Sequence, residues 1–199
     1  MKVLIIDECY YTRLGISEYL SKINKLQFIS QDNINSAINH INNFSPDVVL
    51  ANLTHYCHHA EYCNQLQTFI EKLHNVRFYI YLDSPYPFTN RPILLKNQCF
   101  IMSKKILNHV LERLIETNSI LKNITYLSND NASIFSYQEQ KIIKNWMNAV
   151  PNNVIARKLG ISNSTVYSHK RHITEKIFVN NRIELFFVYN IFKYIYSND

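Results

Sequence analysis

The chain reads as an α/β protein in two parts, a doubly wound parallel sheet followed by an all-α helix-turn-helix unit. Three observations predict this. Apolar runs alternate with amphipathic helical stretches through the first 121 residues, which implies successive strand-helix units and a parallel sheet. Residues 152–177, NNVIARKLGISNSTVYSHKRHITEKI, describe two helices meeting at a tight turn, the second of them basic. Charge also shifts along the chain: residues 1–132 hold 12 Lys/Arg against 11 Asp/Glu and residues 133–199 hold 9 against 4, so the last third carries nearly all of the net +6.

In chain order, residues 2–6 read as a buried strand that delivers Asp7 and Glu8 to its C-terminal end, and residues 11–20 as an amphipathic helix. A second apolar run at 48–50 follows Pro46-Asp47. A helix over 66–73 precedes a third run at 78–82, and a fourth at 100–102 precedes a helix from about 107 to 121. In such sheets the functional crevice lies beyond the carboxyl ends of the strands, where Asp7, Glu8, Asn52, Asp83 and Ser84 converge. Asp7 and Glu8 are expected as solvated strand-end acids with no ligand; weak magnesium binding is the sharper alternative.

Residues 122–133, rich in Asn and Ser, read as a linker, which divides the chain into a sheet domain at 1–121 and a helical domain at 134–199. In the helical domain Val154, Ile155 and Leu159 share one helix face, and Gly160 supplies the left-handed position that ends the helix. Ser162 or Ser164 caps the next helix, which buries Val166 and Ile173 and displays Thr165, Tyr167, Ser168, His169, Lys170 and Arg171. With Asn152, Asn153 and Ser164 these form the candidate DNA-contacting set, because hydroxyls, amides and cations bond phosphates and base edges. A merely solvated charged face is the plainer reading. The last helix, 182–196, is apolar around most of its circumference; one face is assigned to the domain core and another to a dimer surface, with a wholly internal core helix as the alternative. Trp146 and Met147 read as core.

Composition narrows the classes. No stretch approaches the ~18 apolar residues of a spanning helix, the start is not that of a signal peptide, and a cytoplasmic protein is expected, with no membrane partner. With Gly15 and Gly160 as its two glycines the chain can hold neither a P-loop nor a dinucleotide fingerprint. Cys9, Cys57, Cys63 and Cys99 are expected reduced. The segment 55–63, with His55, Cys57, His58, His59, Glu61 and Cys63, is dense in metal ligands but lacks paired C-x-x-C spacing; a metal- or redox-responsive DNA-binding sensor is therefore the alternative reading, and no metal or cofactor is expected. No nucleophile-base arrangement is recognisable, so an enzyme is not expected.

VLIIDE at 3–8 with Arg13-Leu14-Gly15-Ile16, and PDVVLANL at 46–53, resemble the first and third strands of response-regulator receivers. Residues 135–185 resemble the DNA-binding domain of LuxR/NarL-type (FixJ-like) regulators, through Glu139, Ile155-Ala156, Leu159-Gly160-Ile161-Ser162, Thr165-Val166 and His169. The resemblance implies a transcriptional regulator that binds double-stranded DNA. It also implies that Asn52 stands where receivers carry the phosphoacceptor aspartate, with Asp7 and Glu8 at the metal-holding acids. An amide cannot form an acyl phosphate, so a receiver without phosphotransfer is expected. Asp83 or Ser84 stands where a receiver has Ser or Thr, and Ser103, next to Lys104, where it has lysine. Ala149 replaces a helix-ending glycine, and Tyr167 a basic residue. Cys9, Tyr11-Thr12-Arg13-Leu14-Gly15, Trp146-Met147, Ser168-His169-Lys170 and Lys176-Ile177 resemble the RcsA-type auxiliary subgroup. That likeness implies a hetero-oligomer with an RcsB-like regulator at capsule and exopolysaccharide promoters, with a homodimer as the other possibility.

Overall fold

The computed structural model describes residues 1–58, 61–73, 76–120 and 133–196. Among these, strands β1 (Lys2–Ile6), β2 (Gln27–Gln31), β3 (Val48–Asn52), β4 (Arg77–Leu82), β5 (Ile93–Lys96) and β6 (Cys99–Ser103) form one sheet in the order β2-β1-β3-β4-β6-β5. All neighbours are parallel except β5, which runs antiparallel to β6 at the edge. The central strands are apolar almost throughout because both faces are covered. Val3, Ile5, Val48, Leu50, Tyr81 and Met102 face one layer, which α1 (Tyr10–Ser21) and α5 (Leu107–Ile120) cover with Ile16, Leu20, Val110 and Leu111. Leu4, Ile6, Val49, Ala51 and Ile80 face the other, under α2 (Ile34–Phe44), α3 (Thr54–His58) and α4 (Asn64–Glu71).

Three elements escape a reading by periodicity. Strand β2 is QFISQ, a half-exposed edge strand without an apolar run, held by pairing such as Leu4 with Ile29. Strand β5 is short and lies across a turn in which Asn97 takes φ 52°. Helix α2, INSAINHINNF, is rich in asparagine, a poor helix former; Asn33 caps it by accepting from the Ser36 N–H at 2.9 Å, and Ile34, Ala37 and Ile41 supply its buried stripe. The expected linker lies outside the described residues except for Ser133.

The C-terminal half consists of α6 (Tyr137–Met147), α7 (Asn152–Leu159), α8 (Asn163–Ile177) and α9 (Arg182–Ile195). Ser136 and Glu139 form a reciprocal capping box on α6, and Asn181 caps α9 by accepting from the N–H groups of Ile183 and Glu184. Buried Glu139 also accepts from Lys176 Nζ at 2.7 Å. Burial opposes its charge, but the bonds from Lys176 and Ser136 outweigh it and hold the carboxyl below its ordinary range. Ala149 adopts φ 57°, a left-handed position that costs a non-glycine residue about 1 kcal/mol. Ile142, Ile155, Val166, Ile173, Leu185, Val188 and Ile191 fill the core, each stabilising the fold by about 1.5–3 kcal/mol relative to exposure.

That core does not end at the domain edge. It is continuous with the α2–α4 side of the sheet, because α9 lays its second apolar face on α3 and α4. The expected dimer surface on α9 is therefore corrected: most of that face is covered within the chain. Asn190 Nδ2 donates to the Cys57 carbonyl at 2.9 Å, Tyr194 Oη accepts from the Cys63 N–H at 2.9 Å, and Tyr196 Oη donates to the Leu95 carbonyl at 2.8 Å. Phe187 meets the rings of His58 and Tyr86 edge-on at 5.0 and 5.4 Å. A helix apolar on several sides needs more than one neighbour, and here the second is the other half of the same molecule.

Candidate DNA-reading surface and a filled receiver pocket

Gly160, at φ 66°, ends α7 and turns the chain toward α8. Ser162 then caps α8, accepting from the Thr165 N–H at 3.0 Å, while its hydroxyl lies 2.7 Å from Ser164 Oγ and 2.8 Å from Thr165 Oγ1. Three hydroxyls thus gather at the positive end of a 15-residue helix, a place suited to phosphate oxygens. Val166, Ile173 and Ile177 anchor the inner face completely. Outward, Ser164, Tyr167, Ser168 and Arg171 are exposed, Thr165, His169 and Lys170 half-buried; on α7, Asn153 is exposed and Asn152 half-buried.

The cations differ in readiness. Arg171 is held on its own helix by Glu175 at 3.1 Å but is largely exposed. Lys170 is bonded to Asn152 Oδ1 and stands 4.6 Å over the Trp146 ring. Burial, with the charge of Arg182 adding to it, lowers its pKa. Trp146 is half-buried and packs against the core, as expected, while its outer side floors a groove of about 350 Å³ with Tyr167, Lys170, Arg171, Asn181 and Arg182 on its walls; Met147 is buried. Asn181 and Arg182 were absent from the expected set, and only the capping signature of α9 hinted at their position. Among the described residues, the polar and ring contacts joining the two halves come from Ile134, Phe178, α9 and Tyr196, not from 164–171.

At the carboxyl end of β1, Asp7 is corrected from solvated to buried. Its Oδ1 accepts from the Cys9 N–H at 2.8 Å, and its Oδ2 from Tyr81 Oη at 2.7 Å and Asn52 Nδ2 at 3.2 Å. Asn52 Nδ2 also donates to Asp83 Oδ2 at 2.7 Å, and its Oδ1 accepts from the Thr54 N–H and hydroxyl at 3.0 and 2.6 Å, tying β3 to the start of α3. Lys104 supplies the ammonium, 2.8 Å from Asp83 and 3.7 Å from Asp7, whereas the hydroxyl of Ser103 is spent on the Ser84 carbonyl. Burial opposes the charge on Asp83, but the bonds from Lys104 and Asn52 prevail and keep its pKa below the ordinary range. Burial, then the Asp7 charge, pushes the Tyr81 phenol well up, so it stays a donor.

A magnesium ion does not fit this donor set. Both Asp7 oxygens are engaged, the amide N–H group of Asn52 points at the two carboxylates, and Glu8 is exposed, offering only its main-chain carbonyl to Arg13. Among the described residues no buried side-chain polar atom lacks a hydrogen-bond partner. The metal- or redox-sensor reading of 55–63 finds no support among the described residues. Cys57 is buried in the core, where burial raises its pKa, His58 packs on Phe187, and no group of three metal-ligating residues occurs among the described residues. His59 lies outside them. No helix among them is long and apolar enough to cross a membrane.

Comparison with known proteins agrees with this layout. Residues 2–127 match the family described as transcriptional regulator RcsA, N-terminal dimerisation domain, and residues 133–189 match the luxR family of bacterial regulatory proteins. The chain is 26% identical over 211 residues to the transcriptional regulatory protein RcsA of Erwinia amylovora, covering all of both chains. It is 24% identical to the transcriptional regulatory protein EntR of Citrobacter freundii, over 94% of this chain and 96% of that one. In fold it resembles RcsB in a structure of two RcsB dimers bound to two parallel DNAs (TM-score 0.55, 16% identity, 96% of this chain and 98% of that one). It likewise resembles the response regulator RcsB in an RcsB–DNA complex (TM-score 0.50, 17% identity, the same coverage). These relatives are regulators rather than enzymes. The chain belongs to the RcsA family of LuxR-type, DNA-binding transcriptional regulators.

Proposed function

We propose that this regulator works in the cytoplasm without receiver phosphorylation, as an auxiliary partner of an RcsB-like regulator on double-stranded DNA at exopolysaccharide and capsule promoters. The observation that carries the phosphorylation-independent part is Asn52: its amide N–H group, not a nucleophilic carboxylate, occupies the middle of the pocket and bonds Asp7 and Asp83. Control then follows abundance and partner rather than a phosphoryl group. The division is a sheet domain at 1–121, a linker at 122–133 and a DNA-binding domain at 134–199. Asn152, Asn153, Ser164, Thr165, Tyr167, Ser168, His169, Lys170 and Arg171 form the reading surface, with the hydroxyl-rich start of α8 toward phosphates and bases.

The test is fluorescence anisotropy of a capsule-type promoter fragment across a salt series, with the chain, an RcsB-like regulator, and both. Binding by the mixture far tighter than by either alone supports the auxiliary reading. Specific binding by the chain alone, unaffected by the second protein, sinks it and leaves a self-sufficient regulator.

A further inference from the structure

Helices α6 and α9 leave between them a cleft of about 420 Å³. Helix α6 contributes Tyr137, Lys141 and Lys144, at i, i+4 and i+7, and α9 contributes Tyr189, Phe192 and Lys193. The floor is aromatic: Phe135 and Phe192 are almost fully buried, and Tyr196 completes a cluster of three rings with centroids 5.7, 6.0 and 6.4 Å apart. The rim is cationic. Lys141 and Lys144 are exposed, Lys141 Nζ stands 4.1 Å over the Tyr137 ring, and no acidic side chain lines the cleft. Among the described residues neither lysine pairs with a carboxylate, so two like charges sit one turn apart on the same helix. Burial lowers the pKa of Lys193 on the facing wall and raises that of Tyr189, the marks of a partly desolvated recess. None of these residues belongs to the DNA-reading set.

We propose that this cleft binds a small aromatic carboxylate, its ring on Phe135, Phe192 and Tyr196 and its carboxylate between Lys141 and Lys144. The aromatic floor offers faces and edges to a flat apolar body, and the lysines on one side of it fix which end carries the charge. An anion there also relieves the repulsion between the two ammonium groups. Size decides between a small molecule and a protein segment. Two turns of helix, about 10 Å across and 11 Å long, fill roughly 850 Å³, twice the volume of the cleft, whereas small-molecule sites begin near ~300 Å³. The floor also meets the junction of the two halves. Tyr196 Oη and the Ile134 N–H both donate to the Leu95 carbonyl of β5, and Lys176 of α8 donates to the Ile134 carbonyl and to Glu139 of α6. A bound acid thus rests on residues that tie α6 both to the reading helix and to the sheet. This inference goes beyond DNA binding and pairing with an RcsB-like regulator and depends on neither.

Amide NMR spectra of the isotope-labelled full chain, titrated with cinnamate and with its uncharged isostere cinnamamide, test it. Cinnamate should shift the amides of 135–144 and 189–196 saturably, with a dissociation constant of about 1 mM or tighter, and cinnamamide should bind about tenfold more weakly. Lys141→Met combined with Lys144→Met changes only exposed side chains, so circular dichroism should show an unaltered melting curve while the preference for the acid disappears. Equal binding of acid and amide by the wild type, shifts that lie away from the cleft, or a preference that survives in the folded double variant overturns the assignment. So does saturation by a peptide of alternating leucine and glutamate with no response to cinnamate, which would make the cleft a protein docking site. The promoter titration is run without either compound, so failure here leaves the auxiliary reading standing, and the reverse also holds.

Discussion

Asn52 Nδ2 donates to Asp83 Oδ2 at 2.7 Å and to Asp7 Oδ2 at 3.2 Å, so one amide joins two carboxylates from the tips of different strands. Lys104 brings a cation to the same pair. An aspartate at 52 would keep the acceptor that serves Thr54 and lose the donor that serves the acids.

Asn52→Asp therefore places a third carboxylate between two others. Destabilisation of about 1–3 kcal/mol is expected at pH 7, shrinking as the medium is acidified and the cluster takes up protons. Urea unfolding at pH 7 and pH 5 measures it. Equal stability at both would show that the amide is not holding the pocket together. The wild-type chain should also take up no acid-labile phosphate from a small phosphodonor.

The pocket sets a pH window. Asp83 is held below its ordinary pKa, so its contribution is present above the unfolded carboxylate range near pH 4 and is lost as pH falls through the lower folded value. Burial works against the Lys104 charge, but Asp83 and Asp7 raise its pKa. That contribution is present below the unfolded lysine value near 10.4 and is lost as pH rises through the higher folded value. Both groups are substantially exposed, so solvent screening limits the effect to about 0.5–1 kcal/mol. Lys104→Met should flatten both limbs of the stability profile; unchanged limbs would sever the pocket from the pH response.

Asn190, buried in α9, bonds the Cys57 carbonyl of α3 across 133 residues of sequence. Asn190→Ala should cost about 1–3 kcal/mol by leaving that carbonyl unpaired. Hydrogen exchange at 54–58 and in α9 should rise together, since the halves share one core. Faster exchange confined to α9 would mean that the halves do not support one another.

On the reading helix, Arg171→Ala and Lys170→Ala should each weaken promoter binding and reduce the magnitude of the logarithmic salt slope by about 1. Lys170 must leave Asn152 and the Trp146 face to reach a phosphate, so Asn152→Leu should alter the contribution of Lys170 and not that of Arg171. A salt slope identical to wild type in both alanine variants would remove α8 as the polyanion contact.

The alternation of apolar runs with helices, the Gly160–Ser162 turn and the amide at 52 were legible in the sequence because each rests on local chemistry: a period of two or 3.6, a left-handed glycine, a capping hydroxyl, a side chain that cannot be acylated. Strands β2 and β5 were not, since edge strands need one buried face and carry a weak pattern. Nor was the filling of the Asp7 pocket, which depends on Tyr81 from β4 and Lys104 after β6 converging from 74 and 97 positions away. The second neighbour of α9 was likewise undecided. An all-round apolar helix states that it must be covered, and only the packed structure selects α3 and α4 over a second molecule, because that choice depends on how distant surfaces fit rather than on any pattern along the chain.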